Sequence, residues 1–579
     1  MLYHMIPDLG LSILKILNAM MKHISLLLGW LFIIHCSPLS AQQKPKLILQ
    51  ITVDQLRADL PMKVYDRLPA GGFKTLYEQG IVYENAYHRH ANTETVVGHA
   101  TLATGADPSA HGMIGNIWFD TETKQTVYNV QDVNYPLLGA GGGVDKKTEI
   151  DPTQAAATTD GRSPMAILGT TFSDELALFT NGEAKIFAVS VKDRGAITLA
   201  GHAGKAFWFS KAKGEFVTST YYFEDYPDWV KNWNSQKKIQ AYLNTSWELM
   251  HDKDNYTYGE ADDMPWETKF PGYGIVFPHP FGEMSKYFTT FLTLSPVGDE
   301  LTLDFAKTLI ESENIGADTI TDYLSISFSS TDYVGHVFGP SSLESEDNLF
   351  RLDRTLASLL AYVDEKIGLE NTLIVLSADH GGVDAPGHMQ KFGIDAGYFD
   401  IDAIDTLAIK KVLQEEFKIT DKLVSGYFHP YVYLDKQAIG RNNLDIDAVS
   451  RVLAAELRKE KGISNAIASA DLLEGNVANT ALNTSVLRNY NPRRSGEIYL
   501  VFEPYWFIND FDGLTVATTH GSPWKYDQHV PVIFIGNGLE AAKIYRRIET
   551  VDVASTLSHY LHIKIPSGAS GAALKEVLE

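Results

Sequence analysis

Short runs of apolar residues, each closed by polar residues, recur along this sequence and predict buried strands. Five such runs occur, at Leu47–Val53, Ala184–Val191, Leu324–Ser330, Leu373–Leu376 and Val530–Ile535. Between the third and the fourth run, apolar residues recur at helical spacing from Leu349 to Ile367, which indicates a crossover helix packed on a sheet. We therefore predict an α/β fold with a largely parallel central sheet flanked by helices.

Two longer regions do not follow this pattern. Residues 204–282 are rich in Trp, Tyr, Phe and Pro, and their apolar positions follow neither a helical nor a strand period. We interpret them as a lid inserted over the ligand-binding pocket of the predicted sheet. Aromatic side chains packed as ordinary core are the alternative. Residues 395–510 hold strand-like runs on either side of a helical stretch, which predicts a small α+β subdomain inserted between strands of the main sheet. The glycine-rich residues Gly139–Gly143 and the polar residues up to Gly161 are predicted to form an exposed loop.

Residues 1–41 have the layout of a leader with a secretory signal peptide. A basic start at Lys22 precedes the apolar run Ile24–Ile34, and small residues at Ser37–Ala41 suit a cleavage site. The run is short for a membrane span, so we expect cleavage near Gln42 and no stable membrane anchor; an uncleaved anchor is the alternative. The only cysteine, Cys36, lies in this segment. Export without disulfides suits a bacterial periplasm, where we expect residues 42–579 to act.

The charge of the chain narrows the choice of partner. Lys+Arg number 49 against 72 Asp+Glu, which gives a formal net charge of −23. Such a surface repels nucleic-acid backbones, so we expect no nucleic-acid polymer as a partner. A local cationic pocket for a small anion remains compatible with this charge, and we expect a monomer that acts on a small molecule.

Side chains that bind metals stand where the predicted strands end. They are Asp54, Asp332, His336, Asp379, His380 and His520. Ligands in open α/β sheets bind at the carboxyl ends of the strands, and Asp332 and His336 are four apart, as on one face of a helical turn. Three carboxylates and three imidazoles suffice for two first-row metals, and Zn²⁺ suits this mixture best. Taken singly, each Asp could be a helix cap and each His a core residue.

Thr95 begins a small-residue stretch with helical character and is a candidate nucleophile. A hydroxyl at a helix N-terminus feels the positive end of the helix dipole, and a nearby metal lowers its pKa further. The alternative is that Thr95 is only an N-cap. Lys192 and Arg194 are two apart at a predicted strand end, so both side chains would face the same way and match a dianionic phosphoryl group. Asn116 could donate to the same oxygens.

The sequence resembles the alkaline phosphatase superfamily from Leu47 to the C-terminus, closest to periplasmic, phosphate-irrepressible alkaline phosphatases with a threonine nucleophile. The stretches that carry the resemblance are ITVDQLRADL, TETVVGHAT, GNIWFD, VKDRG, STDYVGH, ADHGG and THGS. The resemblance implies that family's fold. It also implies one zinc held by Asp332, His336 and His520, with His529 as the alternative to His520.

By the same resemblance, a second zinc is held by Asp54, Asp379, His380 and the Thr95 oxygen, while Asn116, Lys192 and Arg194 bind phosphoryl oxygens. The expected function is a di-zinc phosphomonoesterase that forms a phospho-threonine intermediate. A nucleotide pyrophosphatase/phosphodiesterase of the same superfamily is the first alternative. A phosphate-binding protein without turnover is the second. A sulfatase is less favoured, because the nucleophile stretch has no Cys or Ser of the formylglycine type.

Overall fold

A computed structural model of the chain describes residues 13–21, 44–405, 407–511 and 514–579. The chain divides into two units, Met1–Lys44 and Pro45–Glu579. In the first unit, residues 13–21 form a helix, whereas the predicted signal-peptide run and cleavage site lie outside the described residues. Among the described residues, no helix is both long enough and apolar enough to cross a membrane.

Within the described part of the second unit, a nine-stranded sheet is the centre of the fold. Its strands are β1 (Leu47–Val53), β2 (Ile81–Tyr87), β3 (Ile186–Ser190), β4 (Lys205–Ser210), β5 (Glu215–Val217), β6 (Asp322–Phe328), β7 (Thr372–Ser377), β8 (Val532–Gly536) and β9 (Ala542–Glu549). Their order in the sheet is β9-β2-β8-β7-β1-β6-β3-β4-β5. The five neighbours from β7 to β4 are parallel, and β8 and β5 pair antiparallel at either side of them. The prediction of an α/β fold with a largely parallel sheet is confirmed.

The sheet is covered on both faces, because alternate side chains of its strands enter two separate apolar cores. Leu47, Leu49, Ile51 and Val53 of β1 belong to one core and Ile48 to the other. The helices that matter for the site are α1 (Thr95–Thr104), α2 (Asp193–Ala200), α3 (Ser330–Phe338) and α4 (Leu343–Lys366). Further helices of at least seven residues that pack on the central sheet or its cores are Phe73–Gln79, Phe172–Phe179, Asp228–Ser235, Val297–Ser312 and Asp552–Tyr560. The crossover helix predicted before the fourth apolar run is α4.

The interpretation of residues 204–282 as a lid is wrong for its first part. Strands β4 and β5 belong to the central sheet, and the crowding of aromatic residues there hid their alternation. Farther along the region, Trp233, Trp247 and Tyr273 are buried in the main core, as the alternative interpretation expected. This region therefore extends the core more than it covers a pocket.

A second sheet lies between β7 and β8 in the chain. Its four strands, Val424–Phe428, Tyr431–Leu434, Ile463–Ala468 and Ile498–Phe502, pair antiparallel, with the last strand between the second and the third. Helix Ile446–Leu457 packs its apolar face against it, within a separate core that contains Leu453 and Leu500. The chain returns from this sheet to the central sheet through residues 514–531, which carry His520.

Candidate active site

Three of the predicted ligands follow directly from two neighbouring parallel strands. Strand β1 pairs with β7 in register from Leu47 opposite Thr372, so their carboxyl ends meet at one edge of the sheet. Asp54 follows β1, and Asp379 and His380 follow β7; all three side chains are fully buried. His380 Nε2 lies 3.4 Å from Asp54 Oδ1 and 3.5 Å from Asp379 Oδ2. The backbone register alone brings these groups together.

Asp332, His336 and His520 form a second group beside the first. Asp332 and His336 are one turn apart in α3, as predicted, with His336 Nε2 3.2 Å from Asp332 Oδ1. His520 Nε2 lies 3.4 Å from the same oxygen. The Nδ1 atoms of the two histidines lie 2.8 and 2.9 Å from the carbonyl oxygens of Thr518 and Thr93, which leaves both Nε2 atoms for Asp332 or a ligand.

The two groups are in direct contact. The rings of His380 and His520 stack with their centroids 3.6 Å apart. Ligand atoms of Asp332, His336 and His520 lie within 4.8 Å of one another, as do those of Asp54, Asp332 and His380. Asp332 thus reaches both groups, while the resemblance placed it in one. All six predicted ligands converge, whereas His529 lies elsewhere, with its ring stacked on Tyr87 and Nε2 3.1 Å from the Glu84 carbonyl oxygen.

The chemistry of this cluster fits bound cations. Both carboxylate oxygens of Asp54, Oδ2 of Asp379 and Nε2 of His380 are buried without a hydrogen bond, and buried polar atoms normally have partners. Carboxylate oxygens and imidazole nitrogens are ligands of Zn²⁺ and related metals. The atoms that a metal would use thus lack hydrogen-bond partners, although Lys192 Nζ lies 2.7 Å from Asp54 Oδ2 and His99 Nδ1 lies 3.0 Å from Asp379 Oδ2.

Opposing effects set the pKa values in the cluster. Burial raises the pKa of the Asp332 carboxyl, but the Lys192 ammonium and the His336 imidazole hold it well below its usual value. Burial lowers the pKa of His380, yet Asp379 and Asp54 raise it to about 9. Burial and the neighbouring His380 lower the pKa of His520 to about 3. Burial and the charge of Asp54 raise the pKa of Asp379. Within the cluster, Lys192 thus favours the ionised forms of Asp54 and Asp332, whereas burial favours the protonated form of Asp379.

Lys192 and Arg194 are not on a strand, which corrects the prediction of their geometry. Strand β3 ends at Ser190, Lys192 is the N-cap of α2, and Arg194 lies in the first turn. Their side chains therefore diverge. Lys192 Nζ contacts Asp332 and lies 2.7 Å from Asp54 Oδ2. Arg194 donates to Asp151 Oδ2 at 2.6 Å, and its Nη2 donates to the Thr95 hydroxyl at 3.3 Å.

Thr95 is the first residue of α1, and its buried side chain lies next to Arg194. The N-cap is Glu94, so Thr95 lies inside the helix and is not its cap. Helix α1 crosses very close to the loop after β7: a Cβ at Gly98 would meet the Asp379 carbonyl oxygen at 1.9 Å. Glycine at 98 therefore allows the Thr95 helix to approach the ligand loop.

Asn116 binds to the N-terminal end of α1. Its Oδ1 accepts a hydrogen bond from the Val96 backbone N–H at 3.0 Å, and its own N–H donates to Glu94 Oε2 at 3.0 Å. Asn116 also lines a small cavity together with Arg194, Asp332, His336 and His520. Because the resemblance assigns Asn116 and Arg194 to phosphoryl oxygens, we name this the phosphoryl cavity; its volume is about 80 Å³. The amide is thus fixed by the helix that bears Thr95.

Several supporting residues escaped the sequence analysis. Gln55 donates through its backbone N–H to Asp379 and through Nε2 to Asp332, and His99 Nδ1 lies 3.0 Å from Asp379 Oδ2. Gln55 and Glu94 adjoin predicted site residues, and His99 is one turn after Thr95, so adjacency could have indicated them. Asp151 lies in the loop predicted to be exposed but is 9% exposed, and no local signal marks it.

Comparison with known proteins places the chain in a family. A family model described as type I phosphodiesterase / nucleotide pyrophosphatase matches residues 48–523. A protein of Myroides odoratus named calcium-transporting ATPase is 36% identical over 546 residues, 93% of this chain and 95% of that protein. The alkaline phosphatase PhoV of Synechococcus elongatus is 33% identical over 574 residues, 96% of this chain and 100% of that protein.

The alkaline phosphatase PafA of Elizabethkingia meningoseptica is 32% identical over 549 residues, 93% of this chain and 95% of that protein. The crystal structure of wild-type PafA matches the fold with a TM-score of 0.84 at 31% identity, covering 93% of this chain and 100% of that one. The family match covers most of the chain and includes the segments that carry the cluster. The chain therefore belongs to the type I phosphodiesterase / nucleotide pyrophosphatase family, within the alkaline phosphatase superfamily that its motifs resemble.

Proposed function

We propose that this protein is a metal-dependent phosphatase that hydrolyses small-molecule phosphate monoesters through a phosphothreonine at Thr95. One observation carries the proposal: the buried Thr95 hydroxyl accepts a hydrogen bond from Arg194 at the start of a helix that packs against the Asp379 loop, next to the cluster of predicted metal ligands. The relatives named alkaline phosphatases, similar over nearly their whole length, support the same activity.

In the first step Thr95 Oγ loses its proton and forms a bond to phosphorus, while the bond to the ester oxygen breaks and the departing alcohol gains a proton. In the second step water cleaves the phosphothreonine, which releases inorganic phosphate and restores the hydroxyl. The N-terminus of α1 favours negative charge on Oγ, and its N–H groups favour a phosphate beside it. Arg194, held by Asp151, offsets charge on the phosphoryl oxygens.

Two zinc ions are the cofactors that the ligand set favours. Asp332, His336 and His520 would hold one, and Asp54, Asp379 and His380 with the Thr95 oxygen would hold the other. When bound, such ions lower the pKa of a hydroxyl and stabilise charge on the attacking and departing oxygens. Lys192 contacts Asp54 and Asp332; with cations bound to these carboxylates, its ammonium can serve the phosphoryl group.

A phosphodiesterase or nucleotide pyrophosphatase is the second candidate, and the description of the matching family model favours it. A diester has one negative charge fewer at phosphorus than a monoester dianion. The buried cations Lys192 and Arg194 therefore favour the monoester. The Asn116 amide can donate to either substrate and does not discriminate between them.

The test compares a monoester with a diester of the same phenol, phenyl phosphate and methyl phenyl phosphate, on zinc-loaded protein. We expect kcat/KM to favour the monoester, and Arg194→Ala to lower the monoester value by about one to two decades, the cost of a charge-assisted hydrogen bond. Diester hydrolysis should fall much less. Metal content is measured for each variant, including Lys192→Ala, because Lys192 also contacts the carboxylates. Equal losses on both substrates would contradict the monoesterase assignment.

A phosphate-binding protein without turnover is separated by the same experiment, since it would release no phenol. Export to the periplasm with cleavage near Gln42, and a monomeric state, belong to the proposal as well. The intact mass of protein from the periplasmic fraction tests the export. A mass that still includes Lys22–Ile34 would show that the segment is retained as an anchor.

A further inference from the structure

The phosphoryl cavity adjoins a much larger groove, of about 890 Å³. Ile150, Phe270, Leu514 and Val516 line both spaces, so the groove begins where the cavity ends and lies within reach of a group attached to a bound phosphoryl group. We name the larger space the lysine groove, after Lys147 and Lys269 in its lining. Its walls also carry the rings of Trp266 and Tyr287.

The walls of the lysine groove are attached to the segments that carry the ligands. The Thr268 N–H donates to the Val337 carbonyl oxygen at 2.9 Å, one residue after His336, and the Thr268 hydroxyl donates to Thr515. The Tyr398 hydroxyl donates to the carbonyl oxygen of Ala517, three residues before His520. The position of the groove relative to phosphorus is therefore fixed by the same backbone that places the histidines.

The charge of the lysine groove is opposite to that of the protein as a whole. The side chains of Lys147 and Lys269 are exposed, and neither forms an ion pair with a described carboxylate. The groove has two acidic side chains in its described lining. Glu149 is paired with Lys211, and burial together with the charge of Glu344 raises the pKa of Glu267 to about 9, so Glu267 is uncharged at neutral pH. Two unpaired cations thus face this groove in a chain of net charge −23.

A second groove next to the phosphoryl cavity has the opposite character. It measures about 370 Å³, is rich in aromatic side chains such as Phe428, Trp506 and Phe507, and its described lining includes the acidic residues Glu94, Asp510 and Asp527. No lysine or arginine occurs among the described residues that line it. An uncharged aromatic group suits this second groove, whereas an anionic group suits only the lysine groove.

We propose that the lysine groove binds the leaving group of phosphate monoesters whose leaving group itself carries an anionic group, such as a carboxylate or a second phosphate. This inference rests on the proposed phosphatase function and adds a substrate class to it. Lys147 and Lys269 attract the distal anion, and the aromatic walls receive the carbon skeleton between the two charges. Unpaired positive charges at the entrance of a site increase the rate at which an anionic substrate binds, and salt weakens this attraction by screening the charges.

The test uses two substrates that differ by one carboxylate, phenyl phosphate and 4-carboxyphenyl phosphate. The quantity of interest is the ratio of their kcat/KM values, carboxylated over plain, at low ionic strength. In the double variant Lys147→Glu, Lys269→Glu this ratio should fall about five- to tenfold relative to the unmodified enzyme, through KM, and the difference should disappear in about 1 M salt. Lys147→Gln, Lys269→Gln should give a smaller fall in the same direction.

The matched control is Lys564→Glu, Lys575→Glu, which makes the same change in net charge at exposed lysines that line neither groove. It should leave the ratio unchanged. An unchanged ratio in the groove variant, or an equal fall in the control, would overturn the inference. Turnover of phenyl phosphate by the unmodified enzyme tests the proposed phosphatase function separately. A wrong assignment of the lysine groove can therefore be distinguished from a wrong assignment of the function.

Discussion

Two buried groups of acids in this protein differ in whether a lysine contacts the carboxylates. In the ligand cluster, Lys192 contacts Asp54 and Asp332 and keeps the pKa values of both carboxyls below the usual range, against burial. In the second group, which we name the glutamate pair, Glu267 and Glu344 form no ion pair with any described lysine or arginine. Burial raises the pKa of Glu267 to about 9 and that of Glu344 well above its usual value.

The difference shows why burial of acids alone does not identify a metal site. Both glutamates have a buried oxygen without a hydrogen bond, as Asp54 has. Burial favours the protonated form of both glutamates, and Glu344 lies 3.2 Å from His279 Nε2, whose pKa burial lowers to about 4. In the ligand cluster, by contrast, Lys192 favours the ionised forms of Asp54 and Asp332, and in our proposal a bound metal would take over that charge compensation. The following predictions test this contrast.

Metal removal should have the largest effect. Since bound cations stabilise charge on both reacting oxygens, chelation should lower kcat/KM by at least about a thousandfold, and zinc should restore it. The variant Glu267→Gln, Glu344→Gln should keep its metal and most of its activity, whereas Asp54→Asn should lose metal. The number of metal ions per chain is measured by elemental analysis, and activity is measured on the same samples. Fewer than two ions per active chain would contradict the two-metal assignment.

Replacement of Asp151 should have an intermediate effect. Asp151→Asn removes the charged partner that holds Arg194 beside Thr95, which should cost about 1.5–3 kcal/mol of transition-state stabilisation, or about 10- to 150-fold in kcat/KM. Metal content should stay unchanged, because Asp151 contacts no ligand. In an Arg194→Ala background the same change should have little further effect. Full additivity would show that Asp151 acts independently of Arg194.

The smallest effect concerns the pH dependence of stability. An unfolded glutamate ionises near its usual pKa, while folded Glu267 keeps its proton up to about pH 9, so its contribution to stability is lost progressively as pH rises between these values. Glu267→Gln should therefore flatten the decline of melting temperature from about pH 5 to 9, and the exposed Glu183→Gln should not. Parallel profiles for Glu267→Gln and the parent would mean that Glu267 is ionised in the folded protein.

The parts of the site that the sequence predicts are those that local geometry determines. Asp54, Asp379 and His380 follow apolar strands that align at their carboxyl ends, and Asp332 and His336 show helical spacing. His520 lies in the connection that precedes β8 and not after a strand of the central sheet, so its predicted place at a strand end is wrong, and the THGS stretch of the family resemblance was the better indication. The fold class follows from the same apolar runs, because each predicted strand occurs within two residues of its predicted bounds.

Features that depend on tertiary contacts could not be predicted in this way. Lys192 and Arg194 diverge because β3 ends two residues before Lys192, a boundary that the apolar run did not show. Asp151 pairs with Arg194 across 43 positions of the chain, from within a loop that has a polar sequence. The aromatic residues of β4 and β5 hid their alternation, so the predicted lid began too early. In each case the deciding partner is distant in sequence.

The measurement that tests the central claim most directly is acid quenching of zinc-loaded enzyme during turnover of phenyl phosphate, followed by peptide mass spectrometry. Our account predicts a single phosphorylated residue, Thr95. It also predicts that Thr95→Ala binds the same amount of zinc, shows no phosphopeptide and loses at least about a thousandfold in kcat/KM, as expected when a nucleophile is removed. Phosphate on another residue, or a zinc-loaded Thr95→Ala variant that turns over within about tenfold of the parent, would contradict the role of Thr95 as nucleophile.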